Sequence, residues 1–366
     1  MQGQNFRWGP LQSLACQPHV TDIVVTSDGR VWADSGQGMQ ERYVDSGLSS
    51  PQVMRDFAVR LCAQLGRRLD DSCPIADAST PEGIRIHAVI APIVKQGAAL
   101  SIRLPDVFRS NLPDLRAGRA FPPEWEELLR SLVQAKATFL VSGGTGTGKT
   151  TMVKALLMEC PQSERLVTVE EIRELGSLEG LNCESLVVRE PNIEGAGQIN
   201  LTDLVKATVR MRPDRIVLGE CRGEEIADLL RAFNSGHRGG MVTIHADSVQ
   251  RLPARLSALG LLAGIQPQAT ALMAQGAFDC LVHMDRLRGR RYISQIGHFE
   301  VDKEGILRGR VMAVWDGSGP ARYSPQWDQW IQHIGVKKEK YSSTRIGLDR
   351  SGDVTALLPQ VRKAAV

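Results

Sequence analysis

The sequence predicts an α/β chain: a doubly wound parallel sheet carrying a phosphate-binding loop, preceded by a smaller α+β unit. Three observations lead there. A complete glycine-rich octet, Gly143-Gly144-Thr145-Gly146-Thr147-Gly148-Lys149-Thr150, sits between an apolar β-forming run and a helical stretch. Strand-like and helix-like segments alternate through the region around it, the mark of a parallel sheet covered by helices. The region before it carries hairpin patterns separated by turn residues, which belong to a mixed unit instead.

In chain order, residues 21–26 read as a strand, Ser27-Asp28-Gly29-Arg30 as a turn and 31–33 as a second strand. Ser50 and Pro51 open a helix over 52–65, with apolar Val53, Phe57, Val59, Leu61 and Leu65. Residues 83–93 and 98–104 form another strand pair around Gln96-Gly97. Residues 105–123, with Pro113, Gly118 and Pro122 in a charged setting, read as a linker. A helix over 124–135 then opens the alternating pattern. Strands are expected over 165–170, 215–219 and 241–245, and helices over 201–211, 224–234 and 250–260. Residues 279–301 read as edge strands around the basic turn Arg286 to Arg291, and the part after Trp315 as a polar tail. The predicted organisation is an N-terminal α+β domain over 1–104, the linker, an ATPase-type domain over 124–310, and a tail of undefined structure over 311–366.

At 366 residues there is room for two or three domains. The 42% hydrophobic and 23% charged content is ordinary for a soluble globular protein, and a net charge of +3 argues for neither nucleic acid nor an anionic membrane. Seven scattered cysteines, with no C-x-x-C pair or Cys/His cluster, point to reduced residues in a cytosolic protein and to no zinc site. No apolar run approaches the roughly 18 residues of a membrane span, and the first residues lack the apolar core of a signal peptide. The expected location is the cytoplasm, with any membrane role coming through a partner.

The octet follows Thr138-Phe139-Leu140-Val141 and leads into Thr151-Met152-Val153-Lys154-Ala155-Leu156-Leu157. Strand, glycine loop and helix are the context that makes G-x-x-x-x-G-K-[ST] a site. Glycines let successive N–H groups converge on phosphate oxygens, and the helix start adds its positive end. Lys149 is expected on the β/γ-phosphates and the Thr150 hydroxyl on Mg²⁺, with Gly143 through Thr151 lining the nucleotide. ATP and Mg²⁺ are the expected ligands.

A second strand, Arg215-Ile216-Val217-Leu218-Gly219-Glu220, ends in an acid at the sheet edge where ligands sit in such folds. Glu220 can there orient or deprotonate an attacking water. A further acidic cluster, Glu170-Glu171, closes the strand after the first helix. If that strand continues, the two carboxylates point opposite ways and one of them reaches the metal. His245 ends the next apolar strand and His237 lies in the glycine-rich loop before it. Their position flanking one strand beside Glu220 makes either a candidate sensor of the γ-phosphate.

Together these motifs resemble the type II/IV secretion ATPase superfamily, and within it the tight-adherence pilus assembly and conjugal-transfer-associated branch. The resemblance rests on the phosphate loop, Glu170-Glu171, the strand 213–220 with Arg222-Gly223-Glu224-Glu225, and the histidine box from Ser235-Gly236-His237 to Thr243-Ile244-His245-Ala246. It implies a RecA-like C-terminal domain, ATP hydrolysis, a homo-hexameric ring and an inner-membrane platform partner of a pilus or secretion system. It also implies peripheral recruitment to the inner face of the cell membrane. The resemblance further places arginines of the N-terminal domain over the phosphates, and Gly83-Ile84-Arg85-Ile86-His87-Ala88 and Leu100-Ser101-Ile102-Arg103-Leu104 match those segments, naming Arg85 and Arg103. The chain departs from the pattern twice: Glu171 stands where the family has Asp, and Cys221 where an aliphatic is common. The implied catalytic set is Lys149, Glu220, Glu171, His245, Arg103 and Arg85, with Thr150 and Glu171 toward the metal. A nucleic-acid motor on the same core, and a regulator that binds nucleotide without hydrolysing it, are the competing readings. The near-neutral charge and 5% aromatic content weigh against the first. Lys149, Thr150 and Glu220 weigh against the second.

Overall fold

Thr26 and Arg30 close the first turn: Thr26 N donates to Arg30 O at 2.9 Å, and Gly29 takes φ +86°, where a side chain would be strained. The computed structural model describes residues 6–336 apart from 18, 37, 45–47, 49, 81–82, 105–110, 177, 190, 192–195 and 288. The chain divides into two compact units, one from Met1–Phe108 with Ile172–Gly176, the other from Arg109–Glu171 with Ser177–Val366.

In the first unit, helix α1 (Gln12–Ala15) precedes β1 (Asp22–Val25), β2 (Val31–Asp34) and β3 (Met39–Arg42). Helix α2 (Pro51–Gln64) follows, then β4 (Ile75–Ser79), β5 (Arg85–Ile90) and β6 (Ala98–Arg103). The strands form one antiparallel sheet in the order β3-β2-β1-β6-β5-β4. Alternate residues face inward, so Ile23, Val25, Ile86, Ile90, Leu100 and Ile102 meet Met54, Phe57 and Leu61 of α2 in the core. Pro51 sits at the first helical turn, where its missing N–H costs nothing.

The second unit starts with α3 (Leu112–Ala117), capped by the Asn111 side chain accepting from Asp114 N, and α4 (Glu124–Gln134). The predicted linker therefore contains a helix; its residues 105–110 lie outside the described residues. Then come β7 (Phe139–Gly143), α5 (Lys149–Leu157), β8 (Arg165–Glu170), β9 (Asn182–Val187), α6 (Leu201–Thr208), β10 (Arg215–Cys221), α7 (Glu225–Asn234) and β11 (Met241–Ile244). Two helices, α8 (Leu252–Leu262) and α9 (Pro267–Ala277), precede β12 (Cys280–Leu287), β13 (Arg290–Val301), β14 (Leu307–Val314), β15 (Arg322–Tyr323) and α10 (Trp327–His333). The nine strands run β15-β14-β13-β12-β7-β11-β10-β8-β9, parallel from β12 to β9 and antiparallel from β12 to β15. Every residue of β7 is buried, as a central parallel strand requires.

Three sequence expectations change. Residues 280–301 are not edge strands, because β12 lies between β7 and β13 and extends the parallel core into an antiparallel arm. β14 runs across residue 310, where the domain was expected to end, and pairs with β13 from Leu307 to Val314. The stretch after Trp315 is not wholly polar loop: Trp327, Trp330 and Ile331 of α10 are buried, and Trp125 Nε1 donates to the Tyr323 hydroxyl at 3.0 Å. Trp327, Trp330 and Ile331 stand at helical spacing, but only one turn of it in a polar setting, which the overall composition masks. Residues 337–366 of that tail lie outside the described residues. Among the described residues no single helix is long and apolar enough to cross a membrane; α8 and α9 pass that test only as a pair bent by 119°.

Candidate nucleotide site

The octet lies where β7 meets α5, at the carboxyl edge of the parallel strands. Its glycines are required by space as well as by conformation. A Cβ at Gly143 would stand 2.5 Å from Met284 O and 2.6 Å from Thr147 Oγ1, and Gly148 caps α5 at φ +90°. The Thr147 hydroxyl donates to Gly144 O at 2.9 Å and braces the loop. Lys149 is 8% exposed, and its ammonium donates to Gly143 O at 3.0 Å and Gly144 O at 2.9 Å.

The strand order explains how the acid and the histidine arrive. β11 lies between β7 and β10, so Glu220 stands two strands from the loop and His245, just beyond the end of β11, stands between them. His245 Nε2 is 3.4 Å from Lys149 Nζ and 2.9 Å from Glu220 Oε1. Glu220 Oε1 is nevertheless buried without an aligned hydrogen-bond donor among the described residues, so proximity to the ring does not satisfy it. Its other oxygen, Oε2, accepts from Arg222 Nη2 at 2.7 Å, while Arg222 Nη1 donates to Glu171 Oε2 at 2.9 Å. One guanidinium thus ties together Glu171, just past the end of β8, and Glu220, near the end of β10.

The electrostatics follow. Burial works to raise the Glu220 pKa, but Arg222, His245 and Lys149 outweigh it and hold the carboxyl below its ordinary value. For His245, burial and then the Lys149 charge push the pKa down against the pull of Glu220, which favours the neutral ring. Deprotonated acid, neutral imidazole and protonated lysine therefore stand in a row.

Of the sequence-predicted residues, Lys149, Glu220 and His245 come together, and Glu171 joins them through Arg222. His237 precedes the amino end of β11, whereas His245 follows its carboxyl end, so the site at that edge includes only His245. β8 ends at Glu170, so the expected alternation does not run on to Glu171; the Glu170 side chain is buried, its Cγ 2.9 Å from the Cβ position of Gly219, and Glu171 is exposed. Arg85 and Arg103 lie in the first unit, directly opposite each other on the β5–β6 ladder. Both face Glu174, at 2.7 Å and 3.9 Å from its Oε1.

Several residues escaped the sequence reading. Arg222 entered only as part of the motif Arg222-Gly223-Glu224-Glu225, with no role of its own, although two acids within reach of one strand end were a signal for it. His283, buried beneath the loop with Nδ1 2.9 Å from Ser142 Oγ, gave no signal, because β12 could not be placed beside β7. Arg291, whose Nε donates to Gly146 O at 3.0 Å, was legible only as part of a basic turn.

A parallel sheet with a phosphate loop after its central strand, and a lysine, a histidine and a glutamate aligned across its carboxyl edge, defines a RecA-like P-loop nucleotide-binding protein. Within that class the chain belongs to the type II/IV secretion system protein family, whose model matches residues 7–301. It is 38% identical over 316 residues to the putative conjugal transfer protein Rv3659c of Mycobacterium tuberculosis, an alignment covering 84% of this chain and 87% of that one. It is 30% identical to the type IV secretion system protein PtlH of Bordetella pertussis, covering 78% of this chain and 91% of the relative. In fold it is similar to the Legionella pneumophila ATPase DotB, with a TM-score of 0.55 at 17% identity over 83% of this chain and 85% of that one.

Proposed function

We propose that this chain is a Mg²⁺-dependent ATPase that works as a cytoplasmic homo-hexameric ring and powers pilus assembly or protein secretion through an inner-membrane platform protein. The observation that carries the hydrolytic part is Glu220 Oε1, a buried carboxylate oxygen without an aligned donor, two strands from a complete phosphate loop. An ionised acid with one oxygen fixed by Arg222 and the other unsatisfied is equipped to orient a water and take its proton.

The neighbouring groups divide the work. Lys149 can exchange its two loop carbonyls for β/γ-phosphate oxygens, an anionic partner for a neutral one. The loop N–H groups and the start of α5 hold the remaining phosphate charge. Neutral His245, between Lys149 and Glu220, can report on the group bound there by changing which of them it contacts. Arg85 and Arg103 supply positive charge to the transferred phosphoryl group, as the resemblance implies, from within one chain or from a neighbouring ring subunit.

The donors suit Mg²⁺. They are hard oxygens: the Thr150 hydroxyl, Glu171 just past β8 and Glu220 near the end of β10. That agrees with an ion bound through one or two protein oxygens plus substrate phosphates. Thr150 would hold it, with Glu171 as the second candidate if it leaves Arg222. When bound, the ion neutralises charge on the phosphoryl oxygens.

Phosphate release by the purified chain with Mg-ATP tests the enzymatic reading, and sedimentation with nucleotide tests the ring. A second reading, a conjugation-type motor moving nucleic acid, is favoured by the name of the Mycobacterium tuberculosis relative. Stimulation of ATP turnover by single-stranded DNA would support it; turnover indifferent to DNA, with co-purification of a pilus or secretion platform protein, would support the first.

A further inference from the structure

β12 pairs with β7 only as far as Met284, opposite Gly143, and then runs on through Leu287 before β13 returns from Arg290. The β12–β13 hairpin therefore outruns the strand that feeds the phosphate loop and projects beside the loop. Arg286 and Arg291 stand directly opposite each other on that ladder, hence on one face of it. Both meet the octet. Arg286 Nη1 lies 3.6 Å from the Cβ position of Gly146, and Arg291 Cδ lies 3.3 Å from that of Gly148. Arg291 Nε donates to Gly146 O at 3.0 Å.

Two guanidinium groups facing each other weaken a ladder unless something nearby compensates. Arg291 makes its hydrogen bond to the loop. A phosphate cradle works when its N–H groups converge on the ligand and its carbonyls turn away. In a planar trans peptide the C=O and the following N–H point in opposite directions. Fixing Gly146 O toward Arg291 therefore fixes the Thr147 N–H on the other side of that peptide plane. Glycine at 146 widens the choice of ψ on one side of that plane, so an external anchor has something to restrain.

We infer that Arg291 is a positioning residue of the phosphate loop: through Nε it holds the Gly146–Thr147 peptide in the phosphate-binding orientation. In this way the antiparallel arm of the sheet sets the affinity of the nucleotide site. The inference rests on the nucleotide-binding reading above and deepens it.

Two substitutions separate the hydrogen bond from the charge. Arg291→Gln places an amide N–H at the same number of bonds from Cα as Arg Nε, keeping a donor without the charge. Arg291→Met keeps the length and loses both. Binding of ADP and of pyrophosphate alone is measured with each variant, together with melting temperature and the exchange rate of the Thr147 amide. The expected result is a loss of about 10-fold or more in both affinities for Arg291→Met, with faster Thr147 exchange, and affinities within about 3-fold of wild type for Arg291→Gln. Melting temperatures should match between the two. Equal losses in both variants would assign the effect to charge and overturn the positioning role. No loss in either, or a loss that tracks melting temperature, would also overturn it. A wild-type chain that binds neither ADP nor pyrophosphate would instead refute the nucleotide reading itself, and this proposal with it.

Discussion

His245 Nε2 lies 2.9 Å from Glu220 Oε1, yet that buried oxygen has no donor aligned on it among the described residues. The histidine also reaches 3.4 Å toward Lys149 Nζ. A neutral imidazole nitrogen either donates or accepts, so Nε2 serves the acid or the lysine but not both at once. The arrangement makes the protonation of one ring the link between Lys149 of the glycine-rich loop and the Glu220 carboxylate.

If Glu220 is the acid that activates water, Glu220→Gln should keep ATP binding and slow turnover by ~10²-fold or more, because an amide neither accepts the proton nor carries the charge. Single-turnover phosphate release alongside equilibrium binding checks this. Turnover near the wild-type rate would move the role to Glu171, the other acid held by Arg222.

Stability should fall with pH on the acid side, and this site should contribute. Glu220 and His245 both hold protons less tightly in the folded chain than their ordinary values of 4.5 and 6.5 imply. The unfolded chain therefore binds more protons as pH drops, and folding free energy is lost with them. The His245 contribution is fully present above its unfolded value and begins to go as pH falls past it; the Glu220 contribution goes at lower pH still. Urea midpoints measured through this range should fall less steeply for the Glu220→Gln, His245→Asn double variant. Identical slopes would mean that the site is not linked to stability.

The sheet edge was legible because each of its parts has a local signature. The octet, the strand ending in Glu220 and the strand ending at His245 are short runs whose composition and period fix both type and direction. In the arm β12–β15 the two strands around the turn 286–291 were legible, but the place of the arm beside β7 was not, since that pairing joins residues far apart in sequence. Nothing local tells that Cys280 begins a strand beside Phe139, or that Trp125 meets Tyr323. Helix α9 was missed for a related reason: Pro267 to Ala277 is rich in small residues and has a weak apolar stripe. Arg291 and His283 were hidden by the same gap, because they touch the loop only through that arm.

Lys149→Ala should abolish hydrolysis and weaken nucleotide binding. If the loop binds phosphate, the ammonium that donates to Gly143 O and Gly144 O is placed to meet the negative charge that develops in phosphoryl transfer. Binding and turnover assays on the folded variant decide it. Undiminished turnover would refute the site.

Arg215 is fully buried at the opposite end of β10, with Nε 2.5 Å from Glu164 Oε2 and with Nη1 and Nη2 on the carbonyls of Gly239 and Val133. Arg215→Met should cost about 3–5 kcal/mol, since it strands a carboxylate and two carbonyls, with part of the loss offset by Lys136 at 3.1 Å from Glu164. Adding Glu164→Gln should recover part of the loss. Urea denaturation measures both, and a single-variant loss under about 1 kcal/mol would show that the pair contributes little.

Arg85 and Arg103 allow a sharper test, because both face one acid. If they serve only to hold Glu174, then Glu174→Gln should do the same damage as Arg85→Ala, whose partner lies at 2.7 Å. If they stabilise charge that develops on the phosphoryl group, the arginine variants should lower kcat with little change in ADP affinity, since a charge acting in the transition state adds little to ground-state binding. Glu174→Gln should then leave kcat unchanged or raise it by freeing the guanidiniums. Arg103→Ala is expected to lose more than Arg85→Ala, because at 3.9 Å from Glu174 Oε1 Arg103 is held more loosely by that acid. Steady-state kinetics on the three full-length variants, read against ADP binding, separates the alternatives. Equal losses in all three would leave the arginines a purely structural part of the N-terminal unit.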